Sequence, residues 1–311
     1  MSESKLSEVM KISVGALADP ELLNGAPARR RALSDRAAAA GVGHLFVADH
    51  VSFHTGFGMD GLIQAATAAA LAPELSIHLG VYLLALRHPV LVARQLSTLC
   101  EAAPGRIALG VGVGGEDRHE IEICGVDPRT RGRRTDACLQ ALRGLLSGEP
   151  TSADNEFFRF EEAWIRPAPD PPLPITIGGR SEAAVRRAAR HGDGWLGVWC
   201  SPQRFAAVRQ QIESEGAARG VAWRHGLQVW VGSDADPARA RERLARRMEG
   251  IYRVPFERFE KYSPVGPPCR IADFLRPYAE AGCRDFNVMA VAESSEAALD
   301  AVGEIASELA S

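Results

Sequence analysis

An acid and a histidine stand side by side at the end of an apolar stretch. The run HLFVADH, residues 44–50, is mostly apolar up to Asp49 and His50, and a segment rich in glycine and aromatic residues follows at 51–61. Histidine exchanges protons near neutral pH, so it is suited to general acid or base catalysis. The pattern predicts proton transfer at the end of a buried strand, under a loop that closes over a substrate and excludes water.

Glycine marks the ends of three other apolar stretches. These positions are Gly80 and Val81, then Gly112, Val113 and Gly114, and finally Gly178 and Gly179. Because glycine has no Cβ, a ligand can approach the backbone closely at such positions. The pattern predicts a planar ring lying against main chain. It does not match a dinucleotide fingerprint or a P-loop, because GVGVGG is followed by residues 116–132, which we expect to form a loop, and no G-K-[ST] is present.

The segment GGRSEAAV, residues 178–185, predicts a phosphate site. Gly178 and Gly179 allow a close turn, and Ser181 is placed to cap the helix that follows. Free N–H groups at the start of a helix hold anions, and the helix dipole assists them. Arg180 and Arg186 are the candidates for the balancing charge.

The elements that must position these residues alternate regularly along the chain. Eight apolar segments, each read as a strand, alternate with helical segments. Continuous apolar strands indicate a parallel sheet that is buried on both faces. We therefore predict one (β/α)8 barrel domain spanning residues 1–311, with insertions, in which catalytic groups lie at the C-terminal ends of the strands. An open, doubly wound sheet is the structural alternative.

Composition excludes several classes of function. The 311 residues carry a net charge of −3, so no basic field points to nucleic acid or to an anionic membrane. The N-terminus lacks a signal-like apolar region, no apolar run is long enough to span a bilayer, and the six cysteines are far apart. We expect a cytoplasmic protein. His50 and His54 lack a third ligand nearby, so no metal site is predicted.

Several motifs in combination resemble one family. VADH, LGVYLLALRHPVLVARQLSTL, GRIALGVGVGGED, GVDPRTRGRRTD and ITIGGRSEAAVRRAARHGDGW are similar to the luciferase-like flavin-dependent oxidoreductases, over roughly residues 12–305. The resemblance implies a (β/α)8 barrel that uses FMN or the deazaflavin coenzyme F420. GVYLLALRHP and GGRSEAAVRRAARHGDGW look more like the F420-dependent branch.

The resemblance also implies roles for individual residues. Gly80 and Val81 match a bulge on the third strand that supports the deazaflavin ring, often through a non-prolyl cis peptide. Asp49 matches an acid that touches the ring system, and His50 matches an active-site histidine of some relatives. The turn that includes Ser181 matches the phosphate-binding turn.

One position departs from the family pattern. Relatives that act on a sugar phosphate carry a glutamate directly after the G-x-G turn on strand four, where this chain has Gly115. Glu116 follows one residue later, so it is retained as a candidate proton donor, while sugar-phosphate activity is not expected.

Three functions remain open. The first is hydride transfer between coenzyme F420 and a small organic substrate. The second is an FMN-dependent monooxygenase that uses O2 and reduced flavin from a partner reductase. The third is a cofactor-binding barrel without turnover. We expect a small-molecule substrate and a homodimer.

Overall fold

The computed structural model describes residues 11–54, 56–115 and 117–311. Eight parallel strands form the central sheet. In chain order they are β1 (Ser13–Leu17), β2 (His44–Val47), β3 (Ser76–Tyr82), β4 (Ile107–Val111), β5 (Ile175–Gly178), β6 (Gly194–Val198), β7 (His225–Ser233) and β8 (Cys283–Val291).

These strands close into a barrel. Each pairs with its neighbour in chain order, and β8 returns to pair with β1, with Ser13 opposite Asp285. A two-residue strand, Val265–Gly266, adds to the outer end of β7. The closed ring confirms the predicted (β/α)8 fold and excludes the open sheet.

Helices cover the outside of the barrel. Six of them carry proline in the first turn, where a missing N–H leaves no hydrogen bond unmade. The helices are Pro20–Asn24, Pro27–Ala39, Gly61–Leu71, Pro89–Ala102, Arg118–Ile123, Arg131–Leu145, Glu182–His191, Pro202–Glu215, Pro237–Tyr252, Pro268–Glu280 and Ser295–Ala310. Among the described residues, no helix is long and apolar enough to cross a membrane.

Two insertions differ from the sequence prediction. The segment expected to be a loop at 51–61 contains an antiparallel hairpin, His50–Phe53 paired with Phe57–Met59. The segment expected to be a loop at 116–132 contains the helix Arg118–Ile123, which Asp117 caps by accepting from the backbone N–H of His119. A second hairpin pairs Thr151–Asp154 with Arg159–Ala163.

A polar cluster lies inside the N-terminal part of the barrel. His44 stacks on His78 with ring centroids 3.9 Å apart, and bonds to Ser13 and Asn287 through its two ring nitrogens. Burial lowers the pKa of His44, and lowers that of His78 to about 3. Together with Asp285, the two histidines have ligand atoms within 4.8 Å of one another, but His44 is committed to hydrogen bonds and Asp285 to Arg224. The cluster is therefore a hydrogen-bonded part of the core.

Candidate active site

A cavity of about 960 Å³ opens at the C-terminal ends of the strands. This is the end of the barrel at which the sequence placed the chemistry. Nine of the predicted residues line the cavity: Asp49, His50, Gly80, Val81, Gly112, Val113, Gly114, Gly178 and Gly179. Arg180 lines a smaller adjoining pocket, and Ser181 is absent from the lining of both. Glu116 lies outside the described residues, so its role stays a prediction.

The floor of the cavity is built around Val81. The peptide between Gly80 and Val81 is cis, as the resemblance implied, and the pairing of β3 with β4 shifts register at this point. A Cβ at Gly112 would collide with Cγ2 of Val81, and one at Gly178 would lie 2.8 Å from Cγ1. The glycines therefore make room for the Val81 side chain, and the floor is not the bare main chain that the sequence suggested.

Gln228 supplies a polar group beside this floor. Its Oε1 is buried without a hydrogen-bond partner among the described residues, and a Cβ at Gly80 would lie 3.1 Å from it. Buried acceptors are normally satisfied, so this oxygen is available to a ligand. Flavins and deazaflavins both have a pyrimidine edge with an N–H donor. The residues at the floor thus fit a planar ring of this type, and the sequence analysis did not single out Gln228.

His50 is paired with an acid that the sequence analysis missed. His50 lies at the start of the hairpin, and its Nδ1 lies 3.0 Å from Oε2 of Glu120 on the helix Arg118–Ile123. The Glu120 side chain is 4% exposed, whereas that of His50 is 33% exposed. With Nδ1 directed at the carboxylate, Nε2 is the nitrogen left for a substrate. The arrangement can fix the orientation of the imidazole ring.

The same helix fastens the hairpin. Oε1 of Glu120 accepts from the backbone N–H groups of Val51 and Ser52, at 2.7 and 3.1 Å. Asp117 accepts from the backbone N–H of His54 at 2.7 Å, which lowers the pKa of that carboxyl. The hairpin and the His50–Glu120 pair therefore form one unit.

Asp49 is held by protein donors on every side. Its side chain is 1% exposed and forms an ion pair with Arg87, with Nη1 2.5 Å from Oδ2. It also accepts from the backbone N–H groups of Gly61 and Leu83, both at 2.9 Å. Asp49 thus joins the end of β2 to the next helix and to the end of β3. Its predicted contact with a cofactor and its catalytic role stay predictions.

Apolar side chains form another wall of the cavity. Phe46, Trp230 and Met289 line the cavity, and all three are buried. The indole N–H of Trp230 donates to the hydroxyl of Tyr252 at 3.0 Å, so the polar edge of the tryptophan is satisfied. An apolar wall of this kind is suited to contact the apolar part of a ligand. Sequence alone could not assign it, because it draws on three strands and a distant helix.

The predicted phosphate turn makes hydrogen bonds within the protein. Ser181 caps its helix by accepting from the backbone N–H of Ala184 at 3.2 Å. The Trp195 indole donates to the carbonyl of Gly179 at 2.6 Å, and the guanidinium of Arg180 lies 5.5 Å from the Trp199 ring centroid. Gly178 and Gly179 reach the cavity, whereas the Ser181 hydroxyl serves its own helix. Phosphate binding here stays a prediction.

Comparison with known proteins places this barrel and site in a family. The chain belongs to the luciferase-like monooxygenase family, whose profile matches residues 10–266. It is 36% identical over 138 residues to an uncharacterized protein of Mycobacterium bovis, a match that covers 44% of this chain and 47% of the relative, so the chain spans about half the length of that relative. It is 33% identical over 218 residues to an F420-dependent glucose-6-phosphate dehydrogenase of Beutenbergia cavernae, covering 65% of this chain and 63% of that protein.

Solved structures show the same fold. An F420-dependent secondary alcohol dehydrogenase in complex with an F420–acetone adduct superposes with a TM-score of 0.82 at 19% identity, over 96% of this chain and 99% of that one. A type II Baeyer–Villiger monooxygenase from Pseudomonas putida, in complex with FMN, gives a TM-score of 0.73 at 15% identity, over 96% and 98%.

Proposed function

We propose that this protein is an F420-dependent oxidoreductase that moves hydride to or from a small organic substrate. The observation that carries the proposal is the His50–Glu120 pair, 3.0 Å apart, in the same cavity as the floor formed by Val81 and Gln228. A proton-transfer group and a seat for a planar ring are the two parts that such a reaction needs.

In this proposal His50, Glu120 and the apolar wall have separate roles in the reaction. Bound on this floor, the deazaflavin would supply or accept the hydride. His50 exchanges the accompanying proton with the substrate oxygen through Nε2, so that a carbonyl gains hydride at carbon and a proton at oxygen, or an alcohol loses both. Glu120 fixes the imidazole through Nδ1 and balances its charge when it is protonated. The apolar wall holds the substrate and keeps water from the reacting atoms.

Similar proteins support both F420 and FMN as the coenzyme. The dehydrogenase of Beutenbergia cavernae and the secondary alcohol dehydrogenase structure favour F420, whereas the Pseudomonas putida structure carries FMN. The partnered histidine at the cavity suits proton exchange during hydride transfer, so we favour F420. The FMN monooxygenase is the second candidate.

A parallel binding titration tests the choice. Purified protein is titrated with F420 and with FMN, following the fluorescence of each. We expect the tighter dissociation constant for F420. Tighter binding of FMN would replace the proposal with the monooxygenase. A Gly112→Val variant, whose side chain would collide with Val81, should weaken whichever coenzyme uses this floor.

A further inference from the structure

A second pocket of about 330 Å³, here called the outer pocket, adjoins the main cavity. His54, Trp199 and Tyr252 line both spaces. A ligand in the main cavity can therefore extend past these residues into the outer pocket. The remaining lining residues are Arg180, Val254, Arg258, Phe259 and Tyr262. Arg180 directly follows the Gly178–Gly179 turn, so the outer pocket begins where the predicted phosphate site ends.

Aromatic rings form one wall of the outer pocket. The ring of Phe259 lies 4.8 Å from that of Trp199 and 5.2 Å from that of Tyr252, measured between centroids. The indole N–H of Trp199 is buried, and it has no hydrogen-bond partner in the described part of the chain. The junction of the two spaces therefore offers a hydrogen-bond donor to a ligand.

The charge of the outer pocket is positive. Two arginines, Arg180 and Arg258, line it, and no aspartate or glutamate is among the described residues that line it. The acids nearest to these arginines in sequence are already paired. Glu182 bonds to Arg204 at 2.8 Å.

The acids on either side of Arg258 are also paired. Glu257 and Glu260 both contact Arg241, at 3.4 and 2.5 Å. Across the described ranges, neither Arg180 nor Arg258 forms an ion pair with an acid. Two uncompensated guanidinium groups beside an aromatic wall are suited to bind carboxylates.

We propose that the outer pocket binds the carboxylates of the glutamyl tail of coenzyme F420. This inference rests on the proposed function. F420 continues beyond its phosphate into a lactyl group and one or more glutamates, whereas FMN ends at its phosphate. A ring on the Val81 floor and a phosphate near Gly179 would direct this tail toward Arg180 and Arg258. The pocket would then distinguish the two coenzymes by their tails, because their rings are similar in shape.

The test compares coenzymes that differ only in the tail. Deazaflavin fluorescence is titrated with the protein, using F420 with several glutamates and its biosynthetic form without glutamate. We expect the wild-type protein to bind the tailed form about tenfold more tightly, as one or two charge-assisted hydrogen bonds near the surface would give. Arg258→Gln should reduce this preference and leave the affinity for the tail-free form unchanged.

A matched variant controls for loss of charge alone. Arg190→Gln removes one exposed arginine at the far end of the helix Glu182–His191, outside both pockets. It should keep the full preference, and Arg258→Lys should keep most of it. The inference is overturned if the wild-type protein binds both forms equally, or if Arg258→Gln weakens both equally. If only FMN binds, the proposed function fails as well, so the two failures are distinguishable.

Discussion

Oε2 of Glu120 lies 3.0 Å from Nδ1 of His50, although 70 residues separate them in the chain. One is at the start of the hairpin that follows β2, and the other is on the short helix that follows β4. The contact gives His50 a fixed orientation and an acidic partner at Nδ1, and it leaves Nε2 for the proton transfer proposed above.

Replacement of His50 should remove the proton carrier. We expect His50→Gln to lower kcat about 100-fold, within the usual range for general acid–base catalysis, with little change in coenzyme binding. Turnover across a pH series and F420 titration measure the two effects. His119→Gln, on the exposed face of the helix that carries Glu120, is the control. Unchanged turnover with an unchanged pH profile would exclude His50 from proton transfer.

Replacement of Glu120 should act through His50. Glu120→Gln keeps an oxygen for the backbone N–H groups of Val51 and Ser52 but loses the charge that balances a protonated imidazole. We expect kcat to fall about tenfold, with KM nearly constant and the pH profile displaced. Glu122→Gln, exposed on the same helix, should behave as wild type. An equal loss in thermal stability and kcat, with no change in the pH profile, would indicate a purely structural role.

Val81 packs against Gly112 and Gly178, so a second substitution at Val81 should restore stability lost by a larger residue at Gly112. Gly112→Ala should displace Val81, weaken F420 binding about tenfold or more and lower Tm, because overpacking typically costs 1–3 kcal/mol. The double variant Gly112→Ala with Val81→Ala removes the collision and should recover stability. Gly250→Ala is the control for stability, since nothing lies within 4 Å of its added Cβ. If the double variant is no more stable than Gly112→Ala, the collision is not the cause.

Because the carboxylate of Asp49 is buried, replacement of its ion-pair partner Arg87 should lower the stability of the fold strongly. Arg87→Met leaves Asp49 without its ion pair and should lower the free energy of unfolding by about 3 kcal/mol, the usual cost of an uncompensated buried charge. Urea unfolding measures the loss. Arg31→Met, at an exposed position, should change stability little. A loss below about 1 kcal/mol would show that the two backbone donors alone satisfy Asp49.

The histidine cluster in the barrel predicts acid sensitivity. Burial lowers the pKa of His78 from 6.5 to about 3, so between these pH values the unfolded chain binds a proton that the folded chain does not. Stability should therefore fall as pH drops below 6.5, and at pH 5 this single group costs about 1–2 kcal/mol. His78→Gln should flatten the fall of Tm between pH 7 and 5 relative to wild type and to His119→Gln. Parallel Tm curves would contradict this account.

The barrel was predictable because apolar strands alternate with helical segments along the chain. β7 and β8 each extend over nine mostly apolar residues, a pattern typical of strands that are buried on both faces. The rule that places barrel chemistry at strand ends predicted that Gly80, Val81 and His50 would line the cavity. Their roles in the cavity stay predictions.

The rest of the site depends on distant contacts. Glu120 was assigned to a loop, although the pattern D-R-H-E at 117–120 resembles a capping box and signals a helix start. The hairpin after β2 was missed because strands of three and four residues carry little periodicity. Gln228 and Trp230 lie in the middle of an apolar strand, and only closure of the barrel shows that they face the cavity.

The hairpin and the helix Arg118–Ile123 share Glu120, which contacts both the His50 ring and the backbone of Val51 and Ser52. A motion that lifts the hairpin to admit a ligand must break all of these contacts together. The orientation of the His50 ring therefore depends on the hairpin staying against this helix, and the two cannot be displaced independently.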